Sequence, residues 1–280
     1  MSKFIALLLV MILHATPSLS GIVPPNPYWI GPEQSKDSNM TEKEFNSIID
    51  KVGEIYSPVV ESLGKELDMV KDWNNGTVNA YAQQAGLIWK VTMFGGLARH
   101  KAITEDGLAL VVCHEMGHHL GGAPKYTTRS SWASTEGQSD YFGNAKCIRK
   151  YMEKDNNIDI VAGMDIPEYA TQKCKEMFEH ADDVALCQRS AMAGLSLGNL
   201  FRALRDLPDP LKFDTPDPKV VDQVYESHPA PQCRLDTYFN SALCDKDHYN
   251  DVSDDDVLLG TCNRSGDYEF GVRPLCWYKP

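Results

Sequence analysis

The segment His114-Glu115-Met116-Gly117-His118 constrains this chain more than any other. Its two histidines stand four residues apart, a spacing that puts both on one face only if the segment is an α-helix. The run before it, Leu108-Ala109-Leu110-Val111-Val112, is apolar without a break, as a buried helix requires. Thr104 supplies an N-cap and Gly121-Gly122 a stop, which predicts a helix from Glu105 to about Leu120. On such a helix both imidazoles reach one zinc ion, and Glu115 stands beside an open coordination position. The competing explanation is a core helix with incidental histidines.

A second group follows. Glu136-Gly137-Gln138-Ser139-Asp140 begins a helix capped by Ser134 or Thr135 and running to about Met152. Glu136 can supply a carboxylate oxygen as third ligand and complete a His2Glu site. Asp140 lies one turn further on the same face, where it can accept a hydrogen bond from a ligand imidazole and fix its tautomer. As a plain first-turn acid, Glu136 would also be favoured by the helix dipole.

This HExxH and ExxxD pattern resembles the gluzincin metallopeptidases. It is most similar to the family of the CAAX prenyl endopeptidase and the HtpX-like peptidases. Three further stretches carry the likeness: Asn79-Ala80-Tyr81-Ala82 with a strand ending at Gly95-Gly96-Leu97, the helix from Asp106 to His118, and Ser227-His228-Pro229 followed by Arg234. Together they cover about residues 78–145 and 227–238, under a third of the chain. Family members often have a longer gap before the second Glu, and several carry transmembrane helices, so a prenylated or membrane substrate is not implied. The resemblance implies a zincin-like fold in which His114, His118 and Glu136 bind one zinc ion. It makes Glu115 the general base for water and later the proton donor to the leaving amine. It implies Asp140 behind His114, and His228 stabilising the oxyanion of the tetrahedral intermediate. Tyr81 is a further candidate for that last role. Asn79, Ala80 and Tyr81 would form an edge strand that pairs with the substrate backbone.

The ends of the chain point to export. Lys3, an apolar stretch from Phe4 to Leu13 and the small residues up to Ser20 read as a cleavable secretory signal, residues 1–20. No later segment is long and apolar enough to span a bilayer. All eight cysteines lie beyond the signal, an even count that implies disulfides in an exported chain, with the pairing left open. No CxxC pair occurs, which argues against a cysteine zinc knuckle. Net charge is -12 at pH 7, a balance that repels nucleic acid and anionic membranes. The expected partner is a peptide or protein substrate, in the periplasm or outside the cell.

The rest reads as mainly helical. Residues 21–40 look like an extended lead-in, and 41–280 like one zincin-like domain with a disulfide-stapled tail. Thr41 to Glu44 is a capping box before a helix that Pro58 and Gly64 bend or break. Val78–Ala82 and Leu87–Met93 look like strands. Further helices start at Pro167, Asp182 and Arg234, and Leu207–Lys219 is a proline-rich loop. The fold class is therefore α+β, predominantly helical, with a small sheet beside the metal helix. His119 points about 100° away from His118 and is expected as a helix-terminal cation or a supporting group. Cys113 is expected in a disulfide or buried, His180 and His248 as surface residues, and Asp245 to Asp256 as a solvated acidic loop. The expected activity is zinc-dependent endopeptidase. The alternatives are a silent protein of the same fold with a structural metal and a metal-free, disulfide-stapled binding module.

Overall fold

The computed structural model describes residues 20–37, 40–128 and 131–280. The expected signal up to Leu19 lies outside the described residues. In chain order the elements are β1 (Ser20–Gly21), α1 (Glu42–Ser62), β2 (Glu66–Asp72), β3 (Ala80–Ala85), β4 (Ile88–Phe94), α2 (Gly95–Ala98) and α3 (Glu105–Leu120). Then come α4 (Glu136–Phe142), α5 (Ile148–Met152), α6 (Asn157–Ala162), α7 (Glu168–Met177), α8 (Ala181–Leu204) and α9 (Pro231–Ala242). A π-helical turn, Gly143–Cys147, joins α4 to α5, so the chain stays helical from 136 to 152. The fold is α+β and predominantly helical, with one four-stranded sheet in the order β1-β3-β4-β2.

Helix α3 forms as its sequence dictates. The Thr104 hydroxyl accepts from the Gly107 amide, and every residue from Gly107 to His119 is buried. It packs against α1, α4, α8 and strands β3 and β4. Burying each of Leu108, Leu110, Val111 and Val112, all fully buried, contributes about 1.5–3 kcal/mol. Polar residues at its C-terminal end are therefore held in a rigid, dry setting.

Two local expectations fail for physical reasons. Pro58 does not break α1, which runs on to Ser62 and stops just before Gly64, whose φ of 71° ends it as expected. The carbonyl that proline leaves without a helical partner belongs to Glu54, and both residues face solvent, so water satisfies it. The Thr41 capping box does form, with Glu44 and Thr41 bonding each other's backbone amides. Strand β2 was not expected. Glu66–Asp72 has no clean alternation, and its strand state comes from parallel pairing with β4, Glu66 opposite Ile88 through Asp72 opposite Phe94.

All eight cysteines pair: Cys113–Cys147, Cys174–Cys187, Cys233–Cys276 and Cys244–Cys262. The first ties α3 to the end of the π turn across a sequence separation of 34. Closing a loop of that length contributes about 4 kcal/mol in the chain-entropy picture. The last two pin the tail. His248 is not a bare surface residue, because its Nε2 lies 2.8 Å from Glu153 Oε2. Among the described residues no helix is long and apolar enough to cross a membrane.

Candidate metal centre

Helices α3 and α4 cross at the metal motif, and Gly117 sets how closely. A Cβ at Gly117 would lie 2.8 Å from the Ser139 carbonyl oxygen, so any side chain there would push α4 and Glu136 away. With the helices in contact, ligand atoms of His114, His118 and Glu136 all fall within 4.8 Å of one another. His114 Nε2 is 3.3 Å from Glu136 Oε2, and His118 Nε2 is 3.8 Å from Glu136 Oε1.

The outer atoms of the three groups are taken. His114 Nδ1 donates to Asp140 Oδ1 at 2.7 Å. His118 Nδ1 donates to the Ser134 carbonyl at 2.9 Å, with Ser139 Oγ at 3.0 Å. Tyr126 donates its hydroxyl proton to Glu136 Oε1 at 2.8 Å. The inner atoms are not taken: His114 Nε2, His118 Nε2, Glu136 Oε2 and both Glu115 carboxylate oxygens are buried without a hydrogen-bond partner. Nδ1–H bonds to fixed acceptors aim both Nε2 atoms inward. Two imidazole nitrogens and a carboxylate oxygen at this separation can hold a metal ion.

Electrostatics match that geometry. Burial works against charge on His114, but Asp140, Glu136 and Glu115 outweigh it and raise its pKa to about 9. Burial drives His118 down to about 4. Burial would raise Glu136, yet His228, His118 and His114 hold it well below the usual carboxylate range. Glu115 is pushed up to about 8, chiefly by burial. The Ile22 amide lowers it slightly from close by, short of hydrogen-bond geometry. A cation binding here would displace a proton from His114.

Behind His114 stands a second layer. Asp140 receives a bidentate pair from Arg234, Nε to Oδ2 and Nη2 to Oδ1, both 2.7 Å. Tyr238 donates its hydroxyl to the same carboxylate. Burial would raise Asp140, but Arg234 and His114 hold its pKa down. Arg234 and Tyr238 share one face of α9 at i and i+4. Arg234 was legible in the HP…R motif and Tyr238 only through that helical spacing. Tyr126 lies in a polar loop with no periodic signal, and nothing in the sequence marked it.

His228 also reaches the site, with Nε2 3.4 Å from Glu136 Oε2. The strand residues differ from expectation. Asn79, Ala80 and Tyr81 do not present an open edge, because Ser20–Gly21 covers it in antiparallel register, Ser20 opposite Ala82 and Gly21 opposite Tyr81. The Asn79 side chain grips Val23, accepting from its amide at 3.3 Å and donating to its carbonyl at 3.0 Å. Tyr81 Oη takes a hydrogen bond from Asn79 Nδ2 at 3.1 Å. Residues 20–23, at the start of the lead-in, thus lie against the metal cluster, where the substrate backbone was expected. His119 is no cation: it stacks between Trp89 and Trp132, and burial lowers its pKa to about 3.

The chain matches no known protein family, no curated protein and no solved structure.

Proposed function

We propose that this chain is an exported zinc-dependent endopeptidase of gluzincin type. The observation that carries the reading is the set of inward atoms on His114, His118, Glu136 and Glu115, buried and without partners in one place. Leaving them so costs about 1–3 kcal/mol each, a cost that a purely structural cluster would avoid. The four disulfides fit an oxidising compartment outside the cytosol.

His114, His118 and Glu136 would hold the zinc ion. When bound, the cation supplies Lewis-acid polarisation of a carbonyl and makes water more acidic. Glu115 takes a proton from the attacking water and passes it to the leaving amine. Its pKa, about 8 before any cation is present, suits a group that must both accept and release a proton near neutrality. His228 Nε2 donates to the carbonyl oxygen as negative charge grows there. Asp140, held by Arg234 and Tyr238, keeps the His114 ring oriented.

One observation favours a second reading, a silent protein with a structural metal: residues 20–23 lie in the cleft. Digestion of a mixed peptide pool separates the two. The zinc-loaded chain should cut peptides, the chelated chain should not, and Glu115→Gln should keep zinc while losing about 10²–10⁴-fold in rate. A zinc-loaded chain that cuts no peptide bond at all, its own included, leaves the silent reading standing.

A further inference from the structure

The segment in the cleft does more than fill it. β1 lies antiparallel on β3, in the place expected for a substrate backbone. The Gly21 carbonyl oxygen accepts from His228 Nε2 at 2.7 Å. The next nitrogen, that of Ile22, lies near the Glu115 carboxylate, with no hydrogen bond between them. At the other end of the same residue, the Ile22 carbonyl accepts from Arg234 Nη1. Then Asn79 clamps Val23 on both its amide and its carbonyl. One peptide bond therefore has its oxygen on His228 and its nitrogen in the neighbourhood of Glu115. Both flanks are anchored, so the alignment does not depend on a chance contact.

We propose that Gly21–Ile22 is a peptide bond this site hydrolyses in its own chain, and that glycine is required on the N-terminal side of the cut. The inference rests on the peptidase reading. Glycine is required because a Cβ on residue 21 would come within 2.6 Å of Tyr81 Cδ1 and 2.7 Å of the Ala80 carbonyl oxygen. The ring can shift; the backbone oxygen is fixed by the sheet. Residue 22 is the opposite case, an aliphatic side chain sunk completely in the main core.

In the reaction, the oxygen of water bonds to the Gly21 carbonyl carbon and the bond to the Ile22 nitrogen breaks. Both water protons end on that nitrogen, one of them by way of Glu115. Residue 21 leaves as a carboxylate and residue 22 becomes an ammonium terminus. Downstream, the core contacts of Ile22 and the Asn79 clamp on Val23 stay in place. Upstream, only the β1–β3 pairing and His228 hold the released piece, which is residues 1–21 while the expected signal is attached and Gly21 alone once it has been removed.

The test uses the whole chain, made in an oxidising cell-free system without a signal-removing peptidase, purified with a chelator and then loaded with zinc. Intact mass and N-terminal sequencing should show a chain starting at Ile22, produced at a rate independent of protein concentration. Glu115→Gln and Gly21→Val should stay whole under the same conditions, with far-UV circular dichroism confirming that both fold. A second readout needs no metal. In the metal-free wild type, hydrogen exchange should be slow in peptides covering residues 20–23 and 80–82, and fast in residues 20–23 of Gly21→Val. Zinc-loaded wild type that digests unrelated peptides yet keeps Gly21 joined to Ile22 overturns the inference and spares the peptidase reading. So does rapid exchange of residues 20–23 in the wild type. Zinc-loaded protein that cuts neither its own bond nor any other overturns both.

Discussion

Helix α3 carries an ionic cluster near each end, partly buried at its start and fully buried at the candidate metal centre. At its start Asp106 takes a bidentate pair from Arg189 of α8, with Nε at 2.8 Å and Nη2 at 2.7 Å. The same guanidinium gives Nη1 to Asp155 at 2.8 Å and to Asn157 at 2.9 Å. Eight residues later, about 12 Å along the axis, His114 begins the metal centre. In the first cluster each guanidinium nitrogen ends on an acceptor. In the second the outward atoms are bonded and the inward ones face each other without protein partners. A cluster that satisfies itself holds the structure together. A cluster satisfied only on its outer side is preorganised for something the chain does not contain.

The sharpest way to break that contrast is to remove one member from each side. Glu136→Ala should abolish stoichiometric zinc binding, a loss of about 3–4 kcal/mol if a ligand holds roughly a quarter of the ~10–16 kcal/mol of a four-ligand zinc site. Elemental analysis after dialysis reads it, and full zinc in the variant would disqualify Glu136 as a ligand. Arg189→Ala should do the reverse. It leaves Asp106 without its cation while Asp155 keeps Lys51 at 3.2 Å, and should lower unfolding free energy by about 3 kcal/mol, the low end for a broken buried pair because both carboxylates keep some contact with water. Urea denaturation measures this, and zinc content should not change. If Arg189→Ala lost zinc as readily as Glu136→Ala, the two clusters would not be separate devices.

Between these extremes lies Asp140, charged and fully paired like Asp106 yet bonded to a ligand imidazole. Asp140→Asn keeps the shape and removes the charge that holds the His114 Nδ1–H and answers Arg234. Zinc affinity should fall about 10–100-fold, read by competition with a chelator of known strength. Unchanged affinity would reduce Asp140 to a packing and charge-balancing role.

The sequence made the metal side of this comparison legible because its code is local. Four-residue spacing, a Thr104 cap and a glycine stop fixed α3, and one helical turn from Glu136 to Asp140 fixed the support for His114. The Arg189 cluster joins residues 34 and 83 positions apart, so no local pattern announces it. The same holds for β2, whose partner β4 is the far arm of the hairpin that follows it, and for Tyr126. The lead-in shows the limit most clearly. Gly21 and Ile22 read as ordinary linker residues, and only their 207-residue reach to His228 places them at the centre of the cleft.

The smallest expected effect separates two adjacent histidines on that helix. His118 turns its Nε2 toward the metal centre, while His119 has both nitrogens occupied, Nδ1 3.4 Å from Gln84 Nε2 and Nε2 3.3 Å from the Lys90 carbonyl. His119 is therefore neutral in the native state until its pKa of about 3, whereas in the unfolded chain it charges near pH 6.5. Between those values the unfolded state binds the extra proton, so stability is complete above pH 6.5 and falls as pH drops. Between pH 7 and pH 5 the loss from this one ring is about 2 kcal/mol. His119→Phe keeps the stacking with Trp89 and Trp132 and removes the titration. Urea denaturation of metal-free protein at the two pH values should show the wild type losing about 2 kcal/mol more than the variant. His114 and His118 titrate alike in both proteins, so the difference isolates His119. Equal losses would mean that His119 does charge in the native state, and that the wall of the metal centre is less dry than its two stacked indoles imply.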